Sequence, residues 1–306
     1  MGRDDLASSI DAARVDPGAV ASLREPWRRM VMPDLGINLV AMFERSAARR
    51  GEGPFLWHKR DGTYQPWSWQ RAGTEARLLA RSLVARGIAP GERILILSEN
   101  RPEWCVADLA ILMAGGVTVP AYTTSTSDDL AYLLAHAEVA GVICSGQGLA
   151  TRLLPALSQC PTARFLLLME AEGLNDAAVP TATWTSALAE GASAPDPDIG
   201  TRIRGDDLAC FIYTSGTGGR PKGVMLTHDN ILANLRGAWG LLERIGLGDE
   251  VFLSFLPLSH AYEHTAGQFL PIAMGAQIYY AEGADTLAAN LTEARPTILT
   301  LSLIHI

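Results

Sequence analysis

Apolar positions along the chain follow two rhythms. Trp69, Ala72, Ala76, Leu79 and Leu83 recur every third or fourth residue with charged residues between them, the spacing of one helix face. Ser68 stands where a cap is needed, and Gly87 lies just past the end. Helices are also predicted over residues 37–49, 103–114, 128–137, 150–158, 229–244, 264–273 and 286–294. Short apolar runs between turn signals predict strands over 93–97, 117–121, 141–144, 164–169, 208–213, 251–255 and 277–280, and from Thr297 onward. Residues 55–67 alternate around Asp61-Gly62, a hairpin signal. Strands separated by helices imply an α/β fold of mostly parallel sheets flanked by helices.

The N-terminal 35 residues lack a clear period and read as an extension wrapping the domain. Residues 189–207 carry Gly191, Pro195, Pro197, Gly200 and Gly205, and read as a loop or a joint between subdomains. No internal repeat and no low-complexity tract interrupts the pattern.

Composition narrows the picture. With 306 residues, 48% of them hydrophobic, the chain can bury a core of one large domain or two smaller ones. A net charge of −8 with no basic stripe argues against nucleic acid as a partner. Cys105, Cys144, Cys160 and Cys210 fit no zinc or CxxC spacing, which implies a reducing, cytoplasmic setting. The start shows no secretory signal pattern. The longest apolar stretch, residues 106–122, is broken by Asp108, Gly115, Gly116 and Pro120, a poor membrane span. Peripheral contact with the inner face of a membrane stays open.

The chemistry is concentrated in residues 213–224, YTSGTGGRPKGV. An apolar strand feeds a loop of Thr, Ser and Gly that ends in Pro221-Lys222-Gly223. Glycines let backbone N–H groups turn toward phosphate oxygens. Thr214, Ser215 and Thr217 add hydroxyls, and Lys222 adds a point charge. The spacing differs from G-x-x-x-x-G-K-[ST], in which the lysine directly precedes a hydroxyl residue.

This string closely resembles the signature of the adenylate-forming superfamily, with Gly218 where Thr is common, a variant similar to that of bacterial long-chain fatty acyl-CoA synthetases. The segments LPLSHAYEH (256–264), NRPEW (100–104) and GGVTVPAY (115–122) resemble further motifs of the family, over roughly residues 25–300. The resemblance implies ATP, Mg2+ and coenzyme A as cofactors and co-substrates, and a fatty acid as the partner. It implies that Thr214, Ser215, Gly216, Thr217, Gly218, Gly219 and Lys222 hold the phosphates, with Thr214 nearest the metal. It implies that His260 lies beside the reacting carboxylate. His264 matches a position that gates an acyl tunnel in long-chain enzymes. The alternatives are a fatty acyl-AMP ligase, another adenylate-forming enzyme, or a non-catalytic phosphate-binding module.

Other prominent residues have plainer readings. His228 reads as part of a helix cap, Trp67 and Trp69 as packing, Arg220 as solvated, and Glu263 either as a group that helps order the site or as a solvated or salt-bridged carboxylate.

By the same resemblance the chain corresponds to the N-terminal part of the large domain, residues 36–300. The later Mg2+-binding Glu segment, the ribose-binding Asp and the C-terminal domain with its Lys have no counterpart, so the fragment is expected to be inactive alone. The last six residues, LSLIHI, depart from the family pattern. They can be encoded by the transposon-end adapter of sequencing libraries. Residues 301–306 are therefore expected to be non-native.

Overall fold

The computed structural model describes residues 32, 34–170, 177–196, 202–214, 220–242 and 249–301. The N-terminal extension (except Met32, Asp34 and Leu35), Ser215 to Gly219 of the glycine-rich loop, and residues 302–306 of the tail lie outside the described residues.

The chain begins with α1 (Leu39–Arg50), capped by the Asn38 side chain. A hairpin, β1 (Pro54–Arg60) and β2 (Thr63–Ser68), follows, then α2 (Trp69–Ala85), capped by Ser68 as its sequence predicts. The next elements are β3 (Arg93–Leu97), α3 (Pro102–Met113), β4 (Val117–Ala121), α4 (Ser127–His136), β5 (Val139–Cys144), α5 (Gln147–Leu157) and β6 (Leu166–Leu168). After them come β7 (Thr181–Thr183), α6 (Trp184–Ser193), β8 (Leu208–Thr214), β9 (Lys222–Thr227) and α7 (His228–Leu242). The chain continues through β10 (Val251–Ser254), a π-helical segment (Glu263–Phe269), α8 (Leu270–Met274), β11 (Gln277–Tyr280), α9 (Leu287–Ala294) and β12 (Ile298–Leu299).

Two sheets form. The larger has the order β7-β6-β5-β3-β4-β8-β9, and the smaller β12-β10-β11-β1-β2. Pairing is parallel except at β8/β9 and β1/β2, so the expected mostly parallel α/β architecture is present. Side chains along β3 alternate between two cores. Ile94 and Ile96 join one, and Leu95 and Leu97 join the other with Leu130, Leu133 and Leu153 of α4 and α5.

Helix α3 is buried on every side. It contacts β1 of the small sheet and β3 and β4 of the large one, so it is apolar all round, as a helix between two sheets must be. Trp69 is fully buried and stacks on Phe55 at 3.6 Å between ring centroids, while Arg71 lies over Trp67 at 3.6 Å. Both tryptophans therefore pack, as expected.

Three expectations are corrected. Residues 189–207 are not a loop from the start, because α6 runs to Ser193, opened by a Thr183–Ser186 capping box. The Gly and Pro residues of this stretch fall mostly beyond the helix end, while Gly191 packs against the Leu78 carbonyl, where a Cβ would clash at 1.8 Å. Residues 222–227 are a strand, which the glycine-rich run before them had masked. Residues 264–273 are helical, but the first part is π-helical. The Glu263 carboxylate folds over Gly267, whose hydrogen in place of a Cβ leaves it room.

The α3 side chain Asp108 is fully buried and fully engaged. It accepts from Thr118 Oγ1 at 2.6 Å and Gln268 Nε2 at 2.7 Å, and pairs with His264 Nε2 at 2.9 Å. Replacing Asp108 with Ala strands a buried imidazolium and is expected to cost about 3–5 kcal/mol in urea unfolding. Adding His264→Phe to that variant is expected to recover much of the loss, because the unpaired charge is then gone.

Candidate active site

Helix α3 follows β3 on the inter-sheet face, and α4 follows β4 on the opposite face. The connections from β3 and β4 thus part company at the carboxyl ends of adjacent strands, which opens a crevice there. Beside it, at the carboxyl ends of β4 and β8, lies a cavity of about 460 Å3. Its walls include Tyr122 and Ser125 after β4, Tyr213 and Thr214 at the end of β8, Pro221, and His260. The structure therefore brings together two residues, Thr214 and His260, that stand far apart in the chain.

The glycine-rich string is the tip of a β-hairpin. Thr214 ends β8 and is directly opposite Lys222, the first residue of β9. Directly opposed side chains project to the same side of a sheet. A hydroxyl and an ammonium are thereby held at the two stems of the loop, both exposed. Ser215, Gly216, Thr217, Gly218 and Gly219 lie between these stems, outside the described residues.

Helix α4 holds the stems in place. Tyr132 Oη donates to the Pro221 carbonyl at 2.8 Å, and Tyr213 Oη pairs with His136 Nδ1 at 2.7 Å. Burial pushes the Tyr213 phenol up to about 12, so it stays neutral. Arg220 is exposed, with its guanidinium 5.4 Å from the Tyr132 ring centroid. Tyr132 was not singled out in the sequence. Its spacing from Pro221 carries no signal, because the contact crosses two elements.

His260 sits on the turn between β10 and the π-helical segment, and it is exposed. Its N–H donates to the Pro257 carbonyl at 2.9 Å. Its Nδ1 accepts the Tyr262 backbone N–H at 3.2 Å. The neutral ring must then carry its proton on Nε2, which leaves Nε2 as a donor for an anionic oxygen.

His264 is placed differently. It is fully buried, edge-on to Trp104 at 5.4 Å, and is not part of the cavity wall beside Thr214. Burial alone would depress its pKa, but the Asp108 carboxylate outweighs burial and pushes it up to about 10. His228 is also buried, and its Nδ1 accepts the Leu39 N–H at 3.2 Å. It thereby takes up a free N–H at the start of α1 and ties α7 to that helix, and burial lowers it to about 4.

Glu263 is neither solvated nor salt-bridged. It lies fully buried and accepts from Ser254 Oγ at 2.7 Å and from Thr300 Oγ1. Burial pushes it up to about 7, against the lowering effect of those two hydroxyls.

Across the turn that carries His260, a larger cleft of about 610 Å3 opens between the sheets. Pro257, Leu258 and Ser259 line it, while His260 and Ala261 line the cavity beside Thr214. One short segment is thus the wall between two chambers.

With respect to bound groups, the Thr214 hydroxyl and the Lys222 ammonium suit an anion such as a phosphate chain. Among the described residues no cluster of three His, Cys, Asp or Glu side chains could hold a metal by itself. A divalent ion here would draw most of its oxygens from the phosphates, and Thr214 is one of the hydroxyls on the cavity wall that could join them.

A sequence profile described as AMP-binding enzyme matches residues 43–302. The chain belongs to the AMP-binding enzyme family. It is 33% identical over 250 residues to the peroxisomal long chain acyl-CoA synthetase 6 of Arabidopsis thaliana, covering 78% of this chain and 35% of that protein. It is 32% identical over 204 residues to the long-chain-fatty-acid–CoA ligase FadD15 of Mycobacterium tuberculosis, covering 65% of this chain and 33% of that one. The chain thus spans about a third of the length of these two curated relatives.

Among solved structures, the adenylation domain of carboxylic acid reductase from Segniliparus rugosus has the same fold. Its TM-score is 0.74 at 20% identity, covering 97% of this chain and 53% of that one. A benzoate CoA ligase from Burkholderia xenovorans matches with a TM-score of 0.68 at 27% identity, covering 86% of this chain and 49% of that one.

The buried carboxyl behind His260 has a measurable consequence. A carboxyl whose folded pKa is raised from 4.5 to about 7 contributes stability that is fully present below 4.5 and is lost as pH rises through 7. Glu263→Gln keeps the shape and cannot ionise. The difference in unfolding free energy between wild type and this variant is therefore expected to shift toward the variant between pH 4.5 and 8. Chemical denaturation at a series of pH values measures it.

Proposed function

We propose that this chain supplies the phosphate-gripping and carboxylate-orienting part of an ATP-dependent long-chain fatty acid–CoA ligase. The observation that carries the reading is the juxtaposition at the carboxyl end of β8. Thr214 and Lys222 stand opposite each other at the stems of a glycine-and-hydroxyl loop, and His260 lines the same cavity as Thr214. The names of the relatives, long-chain acyl-CoA synthetases and ligases, support the substrate class.

The chemistry would run in two steps. A fatty acid carboxylate oxygen attacks the α-phosphorus of ATP, and the bond to the bridging oxygen breaks, which gives acyl-AMP and pyrophosphate. The coenzyme A thiol then attacks the acyl carbon, its proton is lost, and AMP leaves. Nucleotidyl transfer depends on alignment and charge neutralisation more than on a protein nucleophile. Thr214 and Lys222 would hold the departing pyrophosphate oxygens. His260 Nε2–H would donate to an oxygen of the carboxylate or the adenylate. Mg2+, when bound, neutralises phosphate charge and keeps the chain of phosphates extended.

The test is ATP–pyrophosphate exchange driven by a long-chain fatty acid, on the chain in its natural full length. Lys222→Ala removes a charge-assisted contact worth about 1.5–3 kcal/mol, so kcat/KM for ATP should fall about 10- to 100-fold. Unchanged exchange in the Thr214→Ala, Lys222→Ala double variant would overturn the reading. Exchange without thioester formation would point instead to a ligase that stops at acyl-AMP.

A further inference from the structure

The turn that presents His260 is not held by its own backbone alone. Residues 255–259 leave the end of β10 and carry neither helix nor strand. What fixes them is one side chain from the other sheet, Asn100, three residues past the end of β3. Its Nδ2 donates to Ser254 Oγ at 3.0 Å and to the Leu256 carbonyl at 2.7 Å. Its Oδ1 accepts the Leu258 N–H at 3.0 Å. These bonds span 154 to 158 residues of sequence, so the carboxyl ends of the two sheets are stitched together at this point.

The amide is chemically matched to the task. Two N–H donors and a carbonyl acceptor in one plane are used together, as only Asn or Gln offers, and Gln is a methylene too long. Ser254 passes the bracing on, because its hydroxyl accepts from Asn100 and donates to the buried Glu263. Glu263 opens the π-helical segment directly after the His260 turn. The turn is therefore held at its start by Asn100 and at its end by Glu263, with Ser254 linking the two.

We infer that Asn100 is a positioning residue: it sets the 256–260 turn so that His260 faces the phosphate-loop stem at Thr214. It lines the larger cleft rather than the cavity of Thr214 and His260, and acts through the turn, not on the reacting atoms. This inference rests on the ligase reading for its effect on rate, but the bracing itself is a property of the fold.

Two measurements on the natural full-length chain test it, with three variants. Asn100→Asp keeps the acceptor and loses both donors. Asn100→Ala loses all three bonds. Phe43→Leu, far away in the core, serves as a control for lost stability. The first measurement is amide hydrogen exchange. Both Asn100 variants should raise exchange about 10-fold or more across residues 256–262, in proportion to two or three lost hydrogen bonds, while Phe43→Leu should leave that segment like its surroundings. The second is ATP–pyrophosphate exchange. Misplacing a reacting group by about 1 Å can cost about 100-fold, so kcat should drop about 10- to 100-fold with KM for ATP within about 3-fold.

Unchanged exchange over 256–262 in Asn100→Ala overturns the inference. So does a kcat loss in Phe43→Leu as large as that in Asn100→Ala. If the wild type shows no ATP-dependent activity, the ligase reading fails, and the hydrogen-exchange result alone decides whether Asn100 braces the turn.

Discussion

A single buried carboxylate organises the centre of this protein. Asp108 lies between two sheets on a helix with no exposed face. A charge in that position is tolerated only if its partners are close and complete. Thr118 from the large sheet and His264 and Gln268 from the π-helical segment meet that requirement. The partners cannot be elsewhere, so the segment that follows His260 must dock against α3. The position of the candidate catalytic turn is thus tied to the desolvation of a fully buried carboxylate on α3.

From that constraint the arrangement of the site follows in steps. The π-helical segment docks on Asp108, and Glu263 at its start meets Ser254 and Thr300. The turn before it, residues 255–260, spans from β10 to that anchored start and is caught from the side by Asn100. On the opposite wall, α4 holds the hairpin stems through Tyr132 and Tyr213. Two rigid supports thereby face each other across a cavity, which is how a site with exposed working groups stays ordered.

The histidines show how environment divides one residue type into different roles. His228 is buried without a counter-charge in contact and is held neutral, serving as an acceptor for a backbone N–H. His264 is buried against a carboxylate and is held charged. His260 is exposed on a turn, with Nδ1 engaged by the Tyr262 backbone N–H and the neutral ring's proton therefore on Nε2. The motif LPLSHAYEH places two of these four residues apart, and nothing in their spacing separates the structural one from the catalytic candidate.

The periodic elements were legible because local physics dictates them. The stripe on α2, the Ser68 cap, the Asp61-Gly62 hairpin and the apolar runs of β3, β4 and β8 depend on neighbours within a few residues. The glycine-rich loop between Thr214 and Lys222 was legible as a loop for the same reason, since glycine and hydroxyl content is a local property. Strand β9 and the start of α6 were missed because pairing with β8 and packing on α2 overrode ambiguous local signals. The roles of Asn100, Asp108 and Tyr132 were not legible at all, and for Glu263 the sequence left a site-ordering role and a solvated carboxylate equally open. Asn100, Asp108 and Tyr132 are each defined by a partner supplied by a distant element, and a hydrogen bond between residues 89 to 160 positions apart leaves no mark on sequence spacing. The chain alone determined most of the periodic elements and where glycine and hydroxyl groups concentrate in one loop. Only the packing of two sheets around α3 decided which side chains meet, because burial compels each polar group to find a partner wherever the fold brings one.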